Sequence, residues 1–267
     1  MPDRERSAPA GTAEDTVTAP TPLHPAIAHL DLSPEGLAAR ILARHGATIR
    51  VKKPQLATRR LAHIMSSTLT LANAGGFHSM SLRDLSQHAD LSMGALYAYF
   101  DSKETLLLMI LGTVAQVVEE ALGAPPQDLP PPARLRWLIG AHVALTEAML
   151  PWFIFAFMQA RSFPPQARAM AVASEERTEG LIAAILAEGQ AAGDFATPEA
   201  GMPDVEMAAA LIKPMLQDWY VKRSKYRRRK VSPAAYTDAL MAFVSAAVGI
   251  SPQAVTREAL TQNPPLR

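Results

Sequence analysis

The sequence predicts an all-α protein, with an N-terminal helix-turn-helix unit joined to a larger helical half, on three observations. Residues 81–103, SLRDLSQHADLSMGALYAYFDSK, hold two short helices around a tight turn and the start of a third. Apolar side chains recur at three- and four-residue steps through most of the remaining chain, the signature of helices with one buried face. Nowhere do apolar and polar residues alternate as a half-buried strand requires.

Taken in order, the chain opens with a Pro-, Ala- and Thr-rich stretch to about Pro25 that lacks periodicity and is expected to be disordered. Ser33-Pro34-Glu35 then starts a short helix through Leu37, Ile41 and Leu42 that Gly46 closes. The cations Arg50, Lys52 and Lys53 follow at once, and they read either as a basic arm that touches DNA phosphates or a minor groove, or as a solvated linker.

Pro54 stands where a first helical residue belongs and Gly75-Gly76 where a helix stops. Between them Leu61, Ile64, Met65, Leu69 and Ala72 form one buried stripe. In the next segment Ser81 is placed to cap a helix, with Asp84 reaching back to it. Asp101 and Glu104 offer the same reciprocal cap to the helix that follows. Leu82, Leu85, Ala89, Leu91, Leu96 and Phe100 supply the apolar contacts that lock the two short helices at a steep angle, around a turn at Asp90-Leu91-Ser92. Three helices of this kind form a unit able to lay one of them across DNA.

The run ANAGGFHSMSLRDLSQHADLSMGALYAYFDSKETLL resembles the tetracycline-repressor (TetR) family of bacterial one-component transcriptional regulators. The similarity is firm over residues 54–110, while AEGQAAGDF at 187–195 and the apolar helix at 234–250 resemble the family's variable ligand-binding half in architecture only. It implies a DNA-binding domain at residues 54–112, preceded by a 1–53 extension unusual for the family, then a ligand-binding and dimerisation domain at 113–250 and a tail at 251–267. It also implies a homodimer, paired through its last two helices and facing a palindromic double-stranded operator, which an apolar small-molecule inducer releases. Two other readings remain open: a helical enzyme acting on an apolar substrate, though no nucleophile–base pair, metal spacing or phosphate loop supports it, and a DNA-binding protein without an inducer.

By the same resemblance residues 92–99 enter the major groove. Met93, Gly94, Ala95 and Ala98 carry no hydrogen-bonding side chain, so the bidentate contacts of Arg to guanine or Asn and Gln to adenine are missing. Ala95 and Ala98 are expected against thymine methyls, Tyr97 and Tyr99 at phosphates or, alternatively, in the core, and Lys103 at a phosphate. Ser81, Arg83 and Ser92 complete the expected DNA contacts, and DNA shape carries the remaining discrimination.

A long helix is expected from residues 102–122, a proline-rich linker over 124–132, and then five helices over about 132–150, 151–161, 165–192, 204–228 and 233–250. The apolar and aromatic set Trp137, Met149, Trp152, Phe153, Phe155, Phe157, Met158, Met170, Met207, Met215 and Trp219 suits an apolar cavity, though for any one of them plain core is the commoner role of such a residue. His142 shares an apolar face with Leu135, Leu138, Leu145 and Met149, as a core histidine or as a polar anchor in a pocket. Glu147 and Gln159 flank the same region. Pro214 falls inside a helix and either bends it or breaks it. KRSKYRRRK at 222–230 reads as a solvated helix end or as a site for acidic ligand groups.

Composition bounds these readings. With 267 residues, 49% of them hydrophobic, the chain can furnish a substantial core. A formal charge of +1 requires DNA affinity to come from local patches. The absence of cysteine excludes disulfides and thiolate metal sites, and no cofactor motif or metal-ligand spacing stands elsewhere. The longest apolar run, 148–158, contains Pro151 and falls short of the ~20 residues of a membrane span, and the acidic first residues do not resemble a secretory address. A cytoplasmic protein without a membrane partner is the expectation.

Overall fold

The structure, a computed structural model, describes residues 23–51, 53–197 and 204–250. Among the described residues there are helices, turns and coil but no strand. The elements in order are α1 (Pro25–Ala28), α2 (Pro34–His45), α3 (Pro54–Gly75), α4 (Leu82–His88), α5 (Met93–Leu96) and α6 (Lys103–Leu122), then α7 (Pro131–Ala148), α8 (Leu150–Met158), α9 (Pro165–Ala191), α10 (Val205–Val221), α11 (Arg223–Arg228) and α12 (Pro233–Val248). A 3-10 turn, Ala160–Ser162, joins α8 to α9.

Local chemistry sets most boundaries. Ser33 caps α2 through the Gly36 N–H at 3.0 Å, and Pro34 fills its first position. Pro54 opens α3, which ends where Gly76 adopts φ 91°, a conformation that favours glycine. Ser81 and Asp84 exchange both bonds of a capping box at α4. Asp90, at φ 48°, turns the chain between α4 and α5. The start of α6 differs from expectation by one residue: Ser102 is the cap, accepting from the Thr105 N–H at 3.1 Å, while Asp101 accepts from the Thr105 hydroxyl. Ser102 is the residue with extended dihedrals there, which the capping position requires.

Two elements depart further from the sequence expectation. The stretch expected to be disordered lies, through residue 22, outside the described residues, and at its edge His24 caps the unforeseen turn α1, with Ala26 and Ile27 buried against α6 and α7. The expected helix over 204–228 is broken at Lys222, whose ψ of 30° ends α10 and starts α11. Asp218 draws the Lys222, Lys225 and Tyr226 side chains back toward α10, and this rewards the break. Pro214 sits inside α10, exposed to solvent.

The helices stack in two connected groups. α2 lies along α3, and α3 packs on α4 and α8. α9 packs on α6, α7 and α10, and α12 packs on α7. α7 and α8 meet at 96°, with Pro151 in the first turn of α8 where its missing N–H costs nothing. α6, 20 residues long, is apolar enough for a membrane span, but most of it is buried inside the fold. It is the central core helix, continuous across the division expected after residue 112.

Candidate functional site

Two regions carry candidate chemistry: the α4–α5 surface and a cavity in the helical second half. On the first, Ser81, Arg83, Ser92, Gly94 and Tyr97 are exposed, and Met93, Ala95 and Ala98 are half-buried. A Cβ added at Gly94 would meet nothing within 4 Å, so this face of α5 is open. The exposed cation Arg50 stands beside it, its backbone N–H donating to the Ala98 carbonyl at 2.8 Å, and Lys53 is exposed at the start of α3. Lys52 lies outside the described residues.

Tyr99, for which the core was one of two expectations, and Lys103, expected at a phosphate, both meet internal partners. Tyr99 is 1% exposed and packs in the core, while Tyr97, two residues earlier, is 45% exposed. Burial raises the Tyr99 hydroxyl pKa above its ordinary value, with the nearby Arg60 guanidinium acting against it. Lys103 folds inward. Its Nζ donates to the carbonyls of His78 at 2.8 Å and Met80 at 2.7 Å and lies 4.8 Å from the Phe77 ring centroid. The ammonium therefore pins the loop before α4 to the first residue of α6.

The basic arm is also corrected in part. Leu37, Ala38 and Ile41 of α2 are buried, Ile49 is buried after it, and Arg40 and Arg44 bind α6. The extension is a docked helix that delivers Arg50 to the reader, and its described part is not a free strand of chain.

The cavity, about 520 Å³, lies within the ~300–1,000 Å³ of small-molecule sites. α6 contributes Leu111, Val114 and Val118, and α8 contributes Phe153, Ala156, Phe157 and Met158. α9 supplies Met170, Ser174, Glu175 and Thr178, and its polar end is closed by His142 of α7 with Lys213 and Tyr220 of α10. Of the residues expected there, His142, Phe153, Phe157, Met158 and Met170 line it.

The others lie elsewhere. Trp137 meets His24 edge-on at 5.4 Å, and Met149 is core. Trp152 borders a second cavity, about 430 Å³, between α2–α3 and the α7–α8 corner. Phe155 packs with Phe77 and Phe163, and Met207 is 53% exposed on α10. Met215 gives its carbonyl to the Tyr236 hydroxyl, and Trp219 is enclosed by Tyr226, Tyr236 and the Arg223 guanidinium 4.4 Å away. Glu147 binds that same Arg223 at 2.6 and 2.7 Å, and the Gln159 side chain accepts from the Phe77 N–H at 3.0 Å. Three of the seven 222–230 cations, Lys222, Arg223 and Lys225, are thus spent on internal partners, while Arg227, Arg228, Arg229 and Lys230 are exposed.

Lys213, Glu175 and Tyr220 were missed by sequence reasoning. The signal was a lone cation on the apolar stripe Ala209, Ile212, Leu216 and Tyr220. Burial lowers the Lys213 pKa while the Glu175 and Glu179 carboxylates raise it. Burial also holds His142 well below the ordinary imidazole value, and the Lys213 charge adds to this. The imidazole is neutral at pH 7, and Tyr220, pushed up by burial and by Glu175, keeps its proton.

Residues 64–110 match bacterial regulatory proteins of the tetR family, and residues 128–241 match the tetracyclin repressor-like C-terminal domain. The chain belongs to the TetR family. Among TetR-family relatives, it is 32% identical over 111 residues to the HTH-type transcriptional repressor KstR of Mycolicibacterium smegmatis, covering 36% of this chain and 52% of that one. It is 28% identical over 148 residues to KstR of Mycobacterium tuberculosis, covering 51% and 62%. The chain thus spans between half and two thirds of the length of these curated relatives. The TetR fold is shared with a solved bacterial regulatory protein of the family from Rhodococcus RHA1, with TM-score 0.62, 23% identity, and coverage of 71% of this chain and 97% of that one.

Proposed function

We propose that this chain is a ligand-responsive transcriptional repressor: a cytoplasmic homodimer that holds a palindromic operator and is released from it by a small molecule in the α6–α10 cavity. It performs no chemistry on that molecule. The observation that carries the reading is the continuity of α6. Its first residue, Lys103, pins the loop before the DNA reader, and Leu111, Val114 and Val118 in the same helix wall the cavity. A second link runs from the end of α3, where Asn73 donates to the Pro151 carbonyl at 2.9 Å and Phe77 to the Gln159 side chain. Pro151 opens the helix that presents Phe153 and Phe157 to the cavity.

A ligand that fits one disposition of α6 and α8 better than another shifts the readers, by as much as its affinity for the two states differs. Pairing through α10 and α12 is supported by their exposed apolar residues Met207, Leu211 and Phe243, 53%, 57% and 62% accessible. The cavity favours a regulator with an inducer over a DNA-binding protein without one.

Operator recognition combines Tyr97, Ala95 and Ala98 on α5 with backbone contacts from Ser81, Arg83 and Ser92 and with Arg50 and Lys53 at the flank. The test is selection of binding sites from random duplex DNA, followed by light scattering of the complex. A dimer on an inverted repeat is expected. A tight monomeric complex, or no sequence preference at all, overturns the reading.

A further inference from the structure

The polar end of the cavity is electrostatically incomplete. Lys213, on α10, is 6% exposed and makes no hydrogen bond and no ion pair with any described residue. A lysine ammonium has three donors and no acceptor, and an unpaired charge taken out of water is strongly disfavoured. On α9, Glu175 Oε2 accepts from Gln217 at 3.0 Å and makes no direct contact with the Lys213 ammonium. Glu175 and Glu179, both on α9, act on Lys213 only through space, in the sense that keeps it protonated.

Two further groups face the same end. His142 is 2% exposed, uncharged, with Nδ1 lacking a partner, and it packs against Phe153 and Tyr220 at ring distances of 6.4 Å. Tyr220, 2% exposed, keeps its phenolic proton and gives it to no described acceptor. Leu111, Val114, Phe153, Phe157 and Met170 give the wall its hydrocarbon part, and Arg161, Ser174 and Thr178 also line it.

We propose that the cavity receives an apolar monocarboxylic acid, its carboxylate paired with Lys213 and accepting from Tyr220 and a His142 ring N–H, its hydrocarbon part along α6 and α8. A carboxylate answers all the open donors at once and neutralises the buried cation. A neutral alcohol or ester of the same length leaves the charge unpaired, and an amine adds a second cation beside it. The inference deepens the regulatory reading, and only the consequence of binding for DNA rests on that reading.

The experiment is calorimetric titration of the full-length protein with octanoate, dodecanoate, phenylbutyrate and naphthylacetate, each against its alcohol and its methyl ester. Wild type binds at least one acid ten-fold or more tightly than both neutral counterparts. Lys213→Met removes that preference and retains the neutral ligand, while Lys213→Arg retains the preference. If every acid fails to bind, if the neutral forms bind equally well, or if Lys213→Met binds the acid as tightly as wild type, the proposal is overturned, and the wild-type comparison decides even if the Met variant does not fold. Release of selected operator DNA, measured in parallel, separates the two ideas. Lys213-dependent acid binding without release upholds the ligand class and overturns the responsive repressor, and release by neutral ligands alone does the reverse.

Discussion

The Arg44 Nη1 donates a 2.8 Å hydrogen bond to the backbone carbonyl of Gly112, fastening α2 to the middle of α6. Its other amino group bonds Gln116 at 2.9 Å, and Arg40 pairs with Glu120 one turn further on. A Cβ at residue 112 would lie 2.9 Å from Arg44 Nη1, so the glycine is what lets the guanidinium reach the helix backbone. Both Arg44→Ala and Gly112→Ala are expected to loosen α2, with a loss on the order of 1 kcal/mol. Hydrogen exchange checks this: amides of residues 34–45 should exchange faster in either variant while those of α9 do not. Removing residues 1–53 altogether strips Leu37, Ala38 and Ile41 from the core and is expected to lower Tm, in addition to any effect on DNA.

Lys103→Ala is expected to destabilise the protein by about 1–3 kcal/mol, because it frees the His78 and Met80 carbonyls. It should leave the salt dependence of DNA binding unchanged, since its Nζ is turned into the fold. Arg83→Ala, at an exposed position, should flatten the slope of log Kobs against log salt by about one unit and leave stability unchanged. Chemical denaturation and titrations at several salt concentrations separate the two. A flattened slope for Lys103→Ala would return this residue to the phosphate backbone.

His142 makes stability depend on pH. Its folded pKa lies well below the unfolded value of 6.5, so the unfolded chain takes up a proton that the fold excludes. The stability tied to the neutral ring is fully present above 6.5 and is lost as pH falls below it. Lys213 and Tyr220 face the ring from α10 and Glu175 lines the same cavity from α9, and the Lys213 charge acts with burial to keep the proton off the ring. Denaturation between pH 7.5 and 5 should show wild type losing up to ~1.4 kcal/mol per pH unit more than His142→Gln.

Gly189→Ala is expected to cost about 1–3 kcal/mol by overpacking. Its added Cβ would stand 2.1 Å from the ring of Phe195, which is 4% exposed and is brought back over α9 by the turn at Gly193, φ 74°. The Phe195→Ala, Gly189→Ala double variant should lose less than the sum of the single changes, a coupling that a denaturation cycle measures.

By itself the sequence determined where helices start and stop and that the fold is all-α, because these depend on neighbours within one turn. Pro54, Gly76, Ser33 and the Ser81–Asp84 box act through backbone angles and hydrogen bonds that no distant residue is needed to complete. The helix-turn-helix unit was legible for the same reason, its turn and its caps lying within a few residues of each other. Only the tertiary structure decided which side of the core each candidate takes. Tyr97 and Tyr99 sit two residues apart with nearly equal chemistry, yet α3 covers one and solvent meets the other. Lys103 finds its acceptors on a loop more than 20 residues earlier in the chain, where no local pattern points. The cavity is a void between α6, α7, α8, α9 and α10, and an apolar residue that fills space has the same sequence signature as one that lines an opening. Lys213 acquires its meaning only when four other helices shut water away from it, because the cost of an unpaired charge is set by its surroundings and not by its place in the sequence.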